Sequence, residues 1–162
     1  MDTEALTAPA QPPAPAAVAV PPLIARLVEQ HGAAWVDGSS IEGFLAEPGD
    51  RVLFFAGDPV RFPECLDVAV VLPELQRVFP GRFCVGVARR EDEDALARRF
   101  GSQRWPSLVF LRDGRYVTTV AGMLDWDVYL ARVSEALVMP TSRAPTIGIP
   151  VVSGSAGASG CH

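Results

Sequence analysis

The chain has 162 residues, which is enough for one domain of ordinary size with additional segments at its ends. Its 14 basic residues are all arginines, and its 19 acidic residues bring the formal net charge to -5 at pH 7. This balance argues against a nucleic-acid-binding protein, which normally carries a basic face, and it favours basic partners.

The chain begins with a segment that is rich in proline and alanine, residues 1–22. This segment contains no arginine, and prolines interrupt each of its apolar runs. The composition predicts an extended, disordered arm, and it argues against a signal peptide, a transmembrane helix or any other membrane insertion.

The first elements of the predicted domain are short. Residues 22–32 carry apolar side chains at helical spacing, with Pro22 suited to the first turn and Gly32 to the C-terminal cap. Residues 33–36 form a candidate strand, and residues 39–49 form a short helix opened by a serine cap. The pattern therefore predicts helix, strand and helix in this order.

Two continuous apolar runs then predict buried strands, RVLFFAG at residues 51–57 and RFCVGVA at residues 82–88. The helix between them covers residues 65–79 and contains Pro73, which is expected to kink it. The helix after the second strand, residues 91–101, has acidic residues in its first turn and arginines near its end. Its own dipole favours that distribution of charge.

The last elements are a hairpin at residues 107–122, with its turn at Asp113 and Gly114, and an amphipathic helix at residues 124–137. The order of elements predicts one α/β domain over residues 23–139, with a central mixed sheet and helices on both faces. Parallel strands come first, and the antiparallel hairpin closes the sheet. The Gly/Ser-rich residues 140–162 are predicted to be a flexible tail.

One stretch carries a resemblance to a known fold: EDEDALARRFGSQRWPSLVFLRDGRYV, residues 91–117. It resembles the second half of a thioredoxin, with an acidic helix start, a Leu-Ala pair, an aromatic-Gly pair, a cis-proline dipeptide and a glycine-turned hairpin in this order. The resemblance covers roughly residues 51–137 and implies the thioredoxin-like fold. It also implies that the peptide bond between Trp105 and Pro106 is cis.

The redox centre of a thioredoxin is not matched. Where a thioredoxin has two cysteines, the chain reads GDPVRFPECLD with Cys65 alone, and the position of the family's buried aspartate is Leu53. The three cysteines of the chain form no CxxC pair, no zinc-ligand spacing and no even-numbered disulfide framework. Because dithiol exchange needs two neighbouring thiols, we expect no thioredoxin activity, no cofactor and a reducing, cytoplasmic environment.

A thioredoxin-like chain without CxxC, with PVRFPEC after the strand, RWPSLVF at the cis-proline and PTIGIPVV in the tail, resembles the HyaE/HupG/HoxO family of nickel-iron hydrogenase expression proteins. The resemblance implies a non-enzymatic, cytoplasmic chaperone for the precursor of the hydrogenase small subunit. Such a chaperone binds the twin-arginine signal peptide of the precursor and delays export until maturation is complete. Other maturation accessory proteins could be further partners.

A receptor for this kind of signal peptide needs carboxylates beside an apolar groove. The predicted partner-binding residues are Glu91, Asp92, Glu93, Asp94, Phe62, Trp105 and Pro106. Trp105 is expected to be half exposed and to anchor the bound peptide. The four acids could equally be no more than a solvated helix start, and the arginines on both sides could neutralise part of their charge.

The cysteines and the tail leave alternatives open. The helix start after Pro63 could lower the pKa of Cys65 and support a monothiol redox protein, but Glu64 and Asp67 oppose that effect, and Cys65 could equally be an ordinary, partly buried cysteine. The adjacent Cys161 and His162 could carry a metal ion, although two ligands are too few for a stable site. Cys84 is expected to lie in the core. The apolar TIGIPVV segment of the tail could dock on a partner or on its own domain.

Overall fold

The structure is a computed structural model that describes residues 19–146. Cys161 and His162, and most of the predicted arm and tail, lie outside these residues. The elements are α1 (Pro22–Gln30), β1 (Ala34–Val36), α2 (Ile41–Ala46), β2 (Asp50–Phe55), α3 (Glu64–Val78), β3 (Phe83–Ala88), α4 (Glu93–Arg99), β4 (Ser107–Arg112), β5 (Arg115–Ala121) and α5 (Trp126–Val138). Their order is the predicted one.

The five strands form one sheet in the order β1-β3-β2-β4-β5. β3 pairs in parallel with β1 and β2, whereas β4 is antiparallel to β2 and to β5. The predicted mixed sheet of the thioredoxin-like fold is therefore confirmed. The cis peptide bond between Trp105 and Pro106 is also confirmed.

Helices cover both faces of the sheet. α1, α3 and α5 pack on one face and α2 and α4 on the other, so the core has two layers. Successive side chains of a strand point to opposite faces of the sheet, so β2 contributes side chains to both layers. Phe54 packs in the layer of α3, and Phe55 packs in the layer of α4. None of the helices within residues 19–146 is long and apolar enough to cross a membrane.

A serine, Ser40, occupies the N-cap position of α2 as predicted, but its side chain makes no capping hydrogen bond to the helix, and Asp37 stabilises the preceding turn. The carboxylate of Asp37 accepts hydrogen bonds from the hydroxyl of Ser39 (2.6 Å) and from the backbone N–H groups of Ser39 and Ser40 (2.9 Å each). The Ser40 hydroxyl in turn accepts from the N–H of Asp37, at 2.9 Å. These hydrogen bonds, with that of the Ser39 hydroxyl foremost, lower the pKa of Asp37 to about 2.

The expectation that Cys84 lies in the core is wrong, because its side chain is exposed. Cys84 lies on the same face of β3 as Gly86, which is covered by the ring of Phe44 from α2. α2 is short, and β1 pairs only with the last three residues of β3, which begin at Gly86. Cys84 comes two residues earlier and remains uncovered.

The described part of the predicted tail, residues 140–146, packs on the domain. The backbone N–H of Ser142 donates to the carbonyl of Tyr116 on the edge strand β5, at 2.7 Å. Further on, the carbonyl oxygen of Pro145 lies so close to Gly101 that an added Cβ there would be 2.1 Å from it. Gly101 also has a φ of +68°, which favours glycine.

Arg112 joins the last helix to the sheet. Its Nε donates to Asp50, its cross-strand partner, at 2.7 Å. Its two terminal nitrogens donate to the carbonyls of Ala136, Leu137 and Met139 at the C-terminal end of α5. One half-buried guanidinium therefore pairs a carboxylate and satisfies carbonyls that the helix leaves free.

We predict that Arg112→Met lowers the free energy of unfolding by about 2–3 kcal/mol, because it leaves Asp50 and three helix carbonyls without their donor. Urea unfolding followed by circular dichroism measures the change. Arg115→Met, at the exposed first position of β5, is the control and should change stability by less than about 0.5 kcal/mol. Equal losses in the two variants would contradict the assigned role of Arg112.

Candidate peptide-binding groove

A groove of about 430 Å³ opens where β2 ends and where the cis-proline precedes β4. Three segments surround it: the loop between β2 and α3, one side of α4, and the loop between α4 and β4. We call this site the groove, and it is lined by Gly57, Arg61, Phe62, Arg90, Asp94, Ala97, Arg98, Ser102, Gln103 and Trp105.

Two aromatic side chains form the floor of the groove. The rings of Phe62 and Trp105 stack with their centroids 5.9 Å apart and their planes 27° apart. The guanidinium of Arg61 lies over the Phe62 ring, 5.5 Å from its centroid. Trp105 is half-buried, as expected, and its buried indole N–H has no acceptor among the described residues. Packing and stacking, rather than a hydrogen bond, therefore hold this ring.

Gly57 follows β2 and packs closely against both aromatic rings of the floor. Its φ is +77°, and an added Cβ would lie 2.9 Å from the side chains of both Phe62 and Trp105. Only glycine combines this backbone conformation with such a close approach of two rings. The aromatic floor therefore depends on a residue without a side chain at the end of β2.

Glu93 lies next to Gly57 and is buried, with 1% of its surface exposed. One carboxylate oxygen accepts from the backbone N–H of Gly57 at 2.8 Å, and the other contacts the guanidinium of Arg90 at 3.1 Å. Burial raises the pKa of Glu93, although the Gly57 N–H and Arg90 act in the opposite direction. The carboxylate therefore links the first turn of α4 to the start of the loop between β2 and α3.

Hydrogen bonds also fix the cis-proline loop at both ends. The hydroxyls of Ser102 and Ser107 are buried and lie 2.7 Å apart. The backbone N–H of Gly122 donates to the carbonyl of Pro106 at 2.7 Å. Pro106 itself is buried, so Trp105 is the residue of this pair that faces the groove.

The four predicted docking acids do not form one exposed run. α4 begins at Glu93, so Glu91 and Asp92 precede the helix. Glu91 is exposed, Asp94 lines the groove 3.8 Å from Arg90, and the carboxylate of Asp92 accepts from the N–H of Gly38 at 2.7 Å. The expectation that Glu93 meets a partner directly is corrected, because its carboxylate is buried among groups of its own domain.

The charge of the groove differs from that of its surroundings. Arginines outnumber acids in its lining, where Arg61, Arg90 and Arg98 face the single Asp94. Around the start of α3, three carboxylates form no ion pair within residues 19–146: Asp58, Glu64 and Asp67. This cluster is not among the predicted docking residues, although DPVRFPECLD places Glu64 and Asp67 in the first turn of α3 and Asp58 six residues before its start.

Cys65 is buried with no exposed surface, and its pKa is raised to about 11. Burial is the main cause, and the negative charges of Glu93, Glu64, Asp58 and Asp67 add to it. The alternative in which the helix start lowers this pKa is not supported, because burial of the thiol, together with the nearby carboxylates, raises the pKa instead. The thiol is kept protonated at neutral pH.

We predict that iodoacetamide at pH 8 modifies Cys84 in the native protein and leaves Cys65 unmodified. A pKa raised from 9.0 to about 11 lowers the thiolate fraction about 100-fold, and burial slows the reaction further. Mass spectrometry of the cysteine peptides gives both rates, and unfolding in urea should make the two rates equal. A native Cys65 that reacts as fast as Cys84 would restore the monothiol redox alternative.

We also predict that Glu93→Gln changes how stability depends on pH. Since the folded state raises this pKa above its ordinary value of 4.5, the free energy of unfolding of the wild type falls as pH rises from 4.5 through the raised pKa. Glutamine still accepts from Gly57 and does not titrate, so the variant lacks this decline. Urea unfolding at a series of pH values from 4 to 8 measures it.

Two further variants are the controls for Glu93. Glu91→Gln, at an exposed position, should keep the wild-type pH profile. Glu93→Ala should lose about 1–3 kcal/mol at every pH, because it leaves the buried N–H of Gly57 without an acceptor. Parallel pH profiles for the wild type and Glu93→Gln would show that the buried carboxylate does not titrate in this range.

Comparison with known proteins places the chain in a family. The family described as Hydrogenase-1 expression protein HyaE matches residues 23–129. The hydrogenase expression/formation protein HoxO of Cupriavidus necator is 68% identical over 93% of this chain and 94% of that protein. HoxO of Azotobacter vinelandii is 41% identical over 86% of this chain and 93% of that protein.

A third relative, the hydrogenase expression/formation protein HupG of Bradyrhizobium diazoefficiens, is 39% identical over 76% of this chain and 86% of that protein. A crystal structure of hupG from Rhodopseudomonas palustris is 42% identical to this chain. The alignment of the two structures covers 64% of this chain and 94% of the hupG chain, with a TM-score of 0.47. The family match spans more than half of the chain, and the relatives align over most of their length. The chain therefore belongs to the HyaE family of hydrogenase expression/formation proteins.

Proposed function

We propose that this protein is a non-enzymatic, cytoplasmic chaperone of hydrogenase maturation. It binds the precursor of the small subunit through its twin-arginine signal peptide and delays export until assembly is complete. Family membership supports the role in hydrogenase maturation. The observation that carries the binding role is the groove itself, which has an aromatic floor where thioredoxins hold extended chains, while the neighbouring thiol of Cys65 is buried and protonated.

The apolar region of the signal peptide is the part that fits the groove. An extended segment laid across Phe62 and Trp105 removes apolar surface from water, which contributes about 25 cal/mol for each Å² buried. Aromatic side chains with few rotatable bonds lose little entropy when they become anchors. Phe62 and Trp105 are therefore the proposed main contacts, with Pro106 supporting Trp105 from below.

The basic region of the signal peptide is expected to lie outside the groove, because Arg61 and Arg98 line it, form no ion pair within residues 19–146 and would repel it there. Carboxylates are available on two sides. We call Asp58, Glu64 and Asp67 the α3 rim, and the exposed acids Glu91 and Asp94, together with Asp92, the α4 rim.

The α3 rim is the better partner for arginines. Its three carboxylates make no ion pair in the described part of the chain. On the α4 rim, by contrast, Asp94 lies 3.8 Å from Arg90 and Asp92 accepts from Gly38. We therefore propose that the twin arginines dock mainly on the α3 rim, with Glu91 and Asp94 as secondary contacts.

The buried state of Cys65 disfavours the redox alternative, because a thiol must ionise and meet its substrate in order to react. For the metal-carrier alternative, no group of three or more candidate ligands lies within residues 19–146. Cys161 and His162 lie outside those residues, so that alternative rests on them alone.

The decisive experiment captures the small-subunit precursor with this protein, comparing the intact precursor with one that lacks its signal peptide. We expect capture of the intact form only. Equal capture of both forms would move the interface to the folded part of the precursor. Capture of neither would reject the chaperone function.

Variants locate the binding site in the same assay and in a titration with the labelled signal peptide. Trp105→Ala and Phe62→Ala should weaken binding by about 10- to 30-fold. Trp126→Ala, which removes an exposed tryptophan outside the groove, is the matched control. Neutralising the α3 rim with Asp58→Asn, Glu64→Gln and Asp67→Asn should slow association and reduce its salt dependence more than Glu91→Gln with Asp94→Asn does. The reverse ranking would indicate that the twin arginines of the signal peptide bind the α4 rim instead.

A further inference from the structure

We propose that the groove has an occupant within its own chain. When no client is present, residues 147–152, IGIPVV, lie across the aromatic floor, and the client must displace them. The contact itself goes beyond the proposed function, because it exists without any client. Its effect on client affinity rests on that function.

The described chain ends beside the groove. Its last residues, Pro145 and Thr146, lie together with Arg98 and Arg99 at the C-terminal end of α4. Arg98 also lines the groove, and so does Ser102, the residue after the contact point Gly101. The described chain therefore ends beside Arg98, a residue of the groove lining, rather than on a distant face of the domain.

The domain fixes the path that brings the chain to this point. After α5 the backbone crosses the sheet edge, where the N–H of Ser142 donates to Tyr116 on β5 at 2.7 Å. Pro145 then fits against Gly101, where a Cβ would lie 2.1 Å from the proline carbonyl oxygen. Both contacts lead the chain from the α5 side of the sheet to the α4 side, where the groove lies.

The chemistry of the segment matches that of the groove. Residues 147–152 contain four branched apolar side chains and one proline, and they carry no charge. They can cover Phe62 and Trp105 without meeting repulsion from the lining arginines. Proline favours the extended backbone that such a groove accepts, and six extended residues span about 20 Å.

A weak contact is sufficient for this role. Tethering gives the segment an effective concentration in the millimolar range, so even a low intrinsic affinity keeps the groove filled for most of the time. The apparent affinity for any other occupant falls in proportion to the open fraction. Removing the segment should therefore increase client affinity by about tenfold.

The first test uses the free protein and the NMR signal of the Trp105 indole N–H, assigned with Trp105→Phe. Deleting residues 147–162, or introducing Ile149→Asp with Val151→Asp into the full chain, should shift this signal. Deleting only residues 153–162, which follow the segment, is the matched control and should leave it in place. A synthetic peptide of residues 146–156 added to the truncated protein should restore the original position, and the same peptide with both aspartates should not. An unmoved Trp105 signal in the two C-terminal variants would overturn the proposal.

The second test is a titration of both C-terminal variants with the labelled signal peptide. We expect about tenfold tighter binding than to the full chain, and an unchanged affinity would show that the segment does not compete. If the signal peptide binds to none of these proteins, the proposed client is wrong, whereas the indole measurement still decides whether the segment occupies the groove.

Discussion

The hydrogen bond from the N–H of Gly57 to the buried carboxylate of Glu93 is the contact on which the groove depends. A carboxylate loses hydration when it is buried, and the loss is offset here only by the Gly57 N–H and by Arg90. Moving either partner would leave a charge or a donor unsatisfied. The end of β2 and the start of α4 are therefore held in one relative position, and the rings of Phe62 and Trp105 pack against the glycine between them.

Burial of Cys65, reinforced by the nearby carboxylate of Glu93, accounts for the loss of thiol chemistry. A thioredoxin-like scaffold can activate a cysteine at the start of the helix that follows β2, but Cys65 lies near a buried negative charge and has no exposed surface. A neighbouring carboxylate favours the protonated thiol, which is the opposite of activation. Glu93 thus contributes to the geometry of the groove and also to the raised pKa of Cys65, whose main cause is burial of the thiol itself. Leu53, at the position of the buried aspartate of thioredoxins, and Cys65 are both buried core residues in this chain.

The sequence alone predicts the fold well, because apolar periodicity and the cis-proline hairpin depend on local patterns. It fails where burial depends on which neighbour covers a side chain. Cys84 lies in an apolar strand, yet the short α2 does not cover it. In EDED the four acids look equivalent, although a signal was present: Glu93 shares a helical face with Leu96, Ala97 and Phe100, all of which are buried. This helical spacing distinguishes Glu93, as a buried residue, from the exposed acids beside it.

The distribution of charge around the groove gives a physical basis for choosing between its two proposed occupants. Both offer an apolar stretch to Phe62 and Trp105, so the floor by itself distinguishes them poorly. Specificity is a difference between two affinities, and the difference here comes from the surroundings. In the proposed binding mode the lining arginines keep a basic segment out of the groove, whereas the carboxylates of the α3 rim, which form no ion pair within residues 19–146, attract it just outside. Only a peptide with a basic region joined to an apolar one satisfies both conditions, and the uncharged segment 147–152 gains nothing from the rim. An internal occupant of this kind can exclude other apolar chains and still yield to the client.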